Sequence, residues 1–120
     1  MKKAILIVDD DRETRNCYKG VIEDNFYTSD VSIVMGTSGE DGWREFQESQ
    51  PELVITDLRM EEPLAGLELA KRTKEVSAVP VIMITAESDF LGDVKGIDCV
   101  LAKPPDEEVL AGMIAKFLFS

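Results

Sequence analysis

Histidine is absent from the 120 residues. With it go the commonest general base, the commonest zinc ligand and every Ser/His or Cys/His nucleophile pair. A phosphohistidine cannot form within this chain either. Cysteine is scarce: Cys17 and Cys99 stand far apart in otherwise apolar stretches and make no CxxC pattern. The sequence therefore predicts two reduced thiols in the core, without a disulfide framework. Long apolar runs are missing as well. The run Ala4 to Val8, behind Met1-Lys2-Lys3, is too short for a signal-peptide core or a membrane-spanning helix, which makes the cytoplasm the expected location. Positive charge is short, with 13 Lys and Arg against 24 Asp and Glu and a formal net charge of −11. Such a field repels phosphate backbones and anionic lipid, and argues against nucleic acid or a membrane as a direct partner of this domain.

What is present is the composition of an ordinary globular protein, 44% hydrophobic and 31% charged, on a chain of single-domain size. Residues 1–120 are expected to form one domain. Short β-branched runs alternate with longer stretches of helical spacing, with no linker between them. The runs are Ala4-Ile5-Leu6-Ile7-Val8, Val31-Ser32-Ile33-Val34-Met35, Leu53-Val54-Ile55-Thr56, Val81-Ile82-Met83-Ile84 and Cys99-Val100-Leu101-Ala102. Runs without polar alternation suit strands covered on both faces. Helices are predicted over about residues 11–24, from Ser38 onward with Trp43 and Phe46 inside, around Leu67 and Ala70, over about 88–95, and over about 106–118. Ser38 with Asp41 three residues on reads as a capping box. The last helix carries Val109, Leu110, Met113, Ile114, Phe117 and Leu118 at helical spacing. Right-handed crossovers then give an α/β fold, a doubly wound (βα)5 with a five-stranded parallel sheet of order 2-1-3-4-5.

In such sheets the ligand site lies beyond the carboxyl ends of the strands, where the strand order reverses. The residues that follow the runs are Asp9, Asp10 and Asp11, then Asp57, then Thr85 and Ala86, then Lys103 and Pro104. Asp9, Asp10 and Asp57 cannot share a small crevice while all are ionised unless a cation compensates them. With oxygen ligands alone, Mg²⁺ is the expected occupant. Lys103 and Thr85 add an ammonium and a hydroxyl, which suit a phosphoryl group. No GxxxxGK[ST] loop is present to cradle that group. The remaining use of these groups together is attack on phosphorus by one Asp, giving an acyl phosphate.

The strings ILIVDDD at 5 to 11, VITDLRM at 54 to 60, GLEL at 66 to 69, VIMITA at 81 to 86 and LAKP at 101 to 104 resemble the response-regulator receiver domain of two-component signalling, in particular its chemotaxis-type single-domain members. The resemblance covers essentially the whole chain. It implies the flavodoxin-like fold, Asp57 as phosphoacceptor, and Mg²⁺ held directly by Asp10, Asp57 and the backbone carbonyl of Arg59, with Asp9 acting through a metal-bound water. It further implies that Thr85 and Lys103 bind phosphoryl oxygens and that Ala86 keeps the entrance open. The phosphodonor is then a sensor histidine kinase or a histidine phosphotransfer protein, with a downstream effector or output domain as the second partner. The protein is expected to be a signalling receiver rather than an enzyme, limited to its own phosphorylation and slow dephosphorylation.

Alternatives sit beside each assignment. Asp11 reads as a helix start, Arg12 and Arg15 as a solvated helix face, and Trp43 with Phe46 as core packing. Three departures from the family's pattern bear on output. The loop Arg59-Met60-Glu61-Glu62-Pro63-Leu64-Ala65-Gly66 is a residue longer than usual, Val100 stands where the family places a switch aromatic, and the stretch from Thr85 to Lys103 is short by about one helical turn. Arg59 and Glu87 flank the mouth of the site and are expected to pair across it, hindering water. The rival readings are a receiver-like interaction module that works without phosphorylation, and a flavin-binding protein, which the acidic first loop disfavours.

Overall fold

Every β-branched run becomes a strand. The computed structural model describes residues 2–87 and 96–119, with β1 (Lys3–Val8), β2 (Val31–Gly36), β3 (Leu53–Thr56), β4 (Val81–Thr85) and β5 (Cys99–Ala102). All neighbours pair in parallel in the order β2-β1-β3-β4-β5. The described helices are α1 (Arg12–Asn25), α2 (Gly39–Ser49), α3 (Ala65–Val76) and α4 (Glu107–Phe119). The helix expected over 88–95 lies outside the described residues. Among those described, no helix is long and apolar enough to cross a membrane.

Successive strand residues face opposite sides of a sheet, so a continuous apolar run feeds two cores. Ile5, Ile7, Leu53, Ile55, Ile82 and Ile84 pack with Tyr18, Val21 and Ile22 of α1 and with Leu110, Ile114 and Leu118 of α4. On the other face Leu6, Val8 and Val54 meet Phe46 of α2 and Leu69 and Ala70 of α3. Fully burying each such side chain stabilises by roughly 1.5–3 kcal/mol, so a charge at any position of Ile5 to Val8 would break β1, an interior strand of the sheet. The Tyr18 hydroxyl is buried with no hydrogen-bond partner among the described residues, a cost of about 1–3 kcal/mol. Burial, and after it the charges of Asp9 and Asp57, push its ionisation far up and keep it a neutral phenol.

Three expectations need correction. Cys17 is exposed and is no core thiol, whereas Cys99 is half-buried and packs against the core from its edge. Cys17 precedes Tyr18 by one residue, and one residue turns a helix by about 100°, away from the stripe formed by Tyr18, Val21 and Ile22. Val109 is 47% exposed, and the buried stripe of α4 narrows to Leu110, Ala111, Ile114 and Leu118. The cap of α2 is present but differs in detail. Ser38 Oγ accepts from the Asp41 amide at 3.0 Å, whereas the Asp41 carboxylate reaches past Ser38 to the Thr37 amide at 2.9 Å.

Candidate functional site

Parallel pairing aligns the carboxyl ends of β1 and β3, and the residues just beyond them are locked to those ends. The Asp57 amide donates to Val8 O at 3.0 Å and the Asp9 amide to Gly36 O at 3.2 Å, while the Lys103 amide donates to Thr85 O at 3.1 Å. Asp9, Asp10 and Asp57 each place a carboxylate oxygen so that all three lie within 4.8 Å of one another. Asp9 and Asp57 are buried and Asp10 is exposed. Lys103 Nζ bridges the two buried acids, 3.0 Å from Asp9 Oδ2 and 2.9 Å from Asp57 Oδ2. Their other oxygens accept backbone amides, Asp9 Oδ1 from Asp11 at 2.9 Å and Asp57 Oδ1 from Leu58 at 2.7 Å.

The electrostatics follow from burial set against these bonds. Burial pushes the Asp9 carboxyl above its ordinary value and outweighs the Asp11 amide and the Lys103 ammonium, which favour the anion. Burial also works against the charge on Lys103, but here the hydrogen bonds to Asp57 and Asp9 prevail and hold the ammonium above its ordinary value. The donor set is three carboxylates, with neither histidine nor cysteine in the group. Hard oxygen ligands of this kind fit Mg²⁺.

Of the other expected residues, Thr85 is buried at the end of β4, its hydroxyl accepting from the Glu87 amide at 3.2 Å. Ala86 is exposed beside it. The Arg59 side chain turns outward, and its Nε donates to Glu87 Oε1 at 2.7 Å, the expected pairing across the mouth. Asp11 occupies the cap position of α1, where its carboxylate accepts from the Thr14 hydroxyl at 2.6 Å.

Several contacts around the site were not legible in the sequence. Arg15 is no mere solvated residue, because its guanidinium donates to the Asp9 carbonyl at 2.7 Å. Its spacing one turn into α1 from Asp11 is the only local sign of this. Gly66 lies against the residues that follow β3: its amide donates to Leu58 O at 2.9 Å, and a Cβ there would collide with the Asp57 carbonyl oxygen. Only glycine admits so close an approach. Glu61 reaches away from its own loop to α2, where Oε1 and Oε2 accept from the Gly39 and Glu40 amides at 2.7 and 3.0 Å.

A doubly wound sheet with three acids and a lysine at its switch point defines an α/β protein with a site suited to a hard cation, and comparison with known proteins narrows the class. Residues 5–115 match the family described as response regulator receiver domain, and the chain belongs to that family. It is 27% identical over 119 residues to the transcriptional regulatory protein AfsQ1 of Streptomyces coelicolor, covering 96% of this chain and 51% of that one. It is 30% identical over 118 residues to the transcriptional regulatory protein CseB of Streptomyces avermitilis, covering 95% and 48%. The chain thus spans about half the length of these curated relatives. Among solved structures it resembles the response regulator TrrA of Thermotoga maritima, determined in complex with Mg²⁺ and BeF, at a TM-score of 0.82 and 27% identity over 97% of this chain and 99% of that one.

Proposed function

We propose that this receiver domain takes a phosphoryl group onto Asp57 from a phosphohistidine on a partner kinase or phosphotransfer protein, with Mg²⁺ required. The observation that carries the reading is the convergence of Asp9, Asp10 and Asp57 within 4.8 Å, with Lys103 bonded to two of them. An Asp57 carboxylate oxygen attacks phosphorus and forms a P–O bond, while the P–N bond breaks and its electron pair returns to the donor imidazole. Asp9, Asp10, Asp57 and the Arg59 backbone carbonyl would hold the ion, which supplies positive charge to offset that gathering on the transferred group. Lys103 gives an ammonium to one phosphoryl oxygen and Thr85 a hydroxyl to another. Water attacking the same phosphorus later returns Asp57 as carboxylate and releases inorganic phosphate. The donor must be external because the chain lacks histidine. The cytoplasm, and an effector or output domain as recipient of the signal, complete the reading.

Incubation with Mg²⁺ and acetyl phosphate, followed by mass analysis, tests it. The wild-type protein should gain one phosphoryl mass and Asp57→Asn none; labelling that persists in Asp57→Asn overturns the role of Asp57. One observation favours a module that regulates by contact alone. Val100 packs with Leu58 and Met83 at the position of the family's switch aromatic, so no ring can swing inward there. Mg²⁺-dependent labelling of the wild-type protein separates the two readings.

A further inference from the structure

The metal cleft has two banks, carried by different parts of the chain. One bank is Asp9 and Asp10 after β1, fastened to the β2 end through the Asp9 amide and Gly36 O at 3.2 Å, from where the chain runs directly into α2. The other is Asp57 with the loop that follows it, up to the start of α3 at Ala65. That loop is secured at its ends, by the Asp57 amide to Val8 O and the Gly66 amide to Leu58 O. Between these ends, Glu61 crosses to the opposite bank. Its two carboxylate oxygens accept from Gly39 and Glu40 at 2.7 and 3.0 Å, the amides that open α2, beside the bond from the Asp41 amide to Ser38 Oγ. A carboxylate is well suited there, because those first-turn amides lack intrahelical acceptors and carry the positive end of the helix dipole.

We propose that Glu61 is a positioning residue for the metal site, clasping the loop after β3 onto the first turn of α2 and so setting the spacing between the two banks of oxygen ligands. The proposal rests on the Mg²⁺ reading of the site given above. Mg²⁺ demands near-ideal octahedral geometry at about 2.0–2.1 Å, so its affinity is sensitive to small changes in that spacing. Groups hydrogen-bonded to metal ligands typically contribute about 10–100-fold to affinity, and Glu61, bonded to α2 and not to a ligand, belongs at the lower end of that range.

Calorimetric titration with Mg²⁺ alone, on the full chain, tests this with four proteins: wild type, Glu61→Ala, Glu61→Gln and Ser38→Ala. Glu61→Ala should bind roughly tenfold more weakly. Glu61→Gln keeps one acceptor oxygen and should fall between Glu61→Ala and wild type. Ser38→Ala removes the local cap from the same helix end without releasing the loop, and should bind as wild type does. Wild-type affinity in Glu61→Ala, or an equal loss in Ser38→Ala, overturns the positioning role. Absence of Mg²⁺ binding in the wild-type protein instead refutes the reading of the site, and the clasp with it. Should Glu61→Ala fail to fold, as thermal melting would show, the comparison of Glu61→Gln with Ser38→Ala decides in the same way.

Discussion

Arg59 and Glu87 meet at 2.7 Å with both side chains more than a third exposed. An exposed pair contributes only about 0.2–1 kcal/mol to stability, so its importance lies in where it stands. It bridges the loops after β3 and β4, and on the proposed role of Asp57 it is placed to shield a phosphoryl group there from water. Removing either side chain should hasten loss of that group, by roughly 1.4- to fivefold if the whole pair energy opposes water entry. Decay of phosphoprotein in Arg59→Ala and Glu87→Ala measures it; unchanged rates in both variants remove the idea of shielding. The pair could be foreseen because each residue has a fixed offset from a strand-end residue, two past Asp57 and two past Thr85. Arg15 and Glu61 could not, because their partners are a backbone carbonyl and two backbone amides, groups every residue possesses. Gly66 was visible within the GLEL string, but the collision it avoids is evident only once α3 is folded against Asp57.

Strands and helices were legible for the same reason that they are stable. Continuous β-branched runs feed both cores, and three- and four-residue spacing marks helix faces. Misreadings arose where an apolar residue stood one position off the buried stripe, as at Cys17 and Val109. The start of α2 shows how a local cap becomes a pH-sensitive feature. The Thr37 amide, and then the Arg44 guanidinium, hold the Asp41 carboxyl below the ordinary carboxylate range. A carboxyl depressed in the folded state contributes stability that is fully present above its unfolded value, about 3.9, and is lost as pH falls through the folded value. Asp41→Asn should therefore be less stable than wild type near neutrality, and the difference should close as the solution is acidified below about pH 4. Thermal melting across that range reads it. A gap that stays constant would show that the charge on Asp41 contributes nothing to the cap.

Over the whole molecule, Lys103 is the point where separate strands are joined. It follows β5 directly, its amide is bonded to the end of β4, and its ammonium spans the acids that follow β1 and β3. A change at Asp57 thus has a direct mechanical route to the sheet edge formed by β5 and to α4 beyond it. Lys103→Ala should retain some Mg²⁺-dependent labelling yet lose the response of β5 and α4. The measurement is amide hydrogen exchange with and without beryllofluoride. A wild-type exchange difference in the variant would refute this coupling. The same bridge has a practical corollary. Its nitrogen already offsets part of the repulsion between two sequestered anions, so the fold should not depend on a divalent ion, and the purified chain should survive storage in EDTA intact.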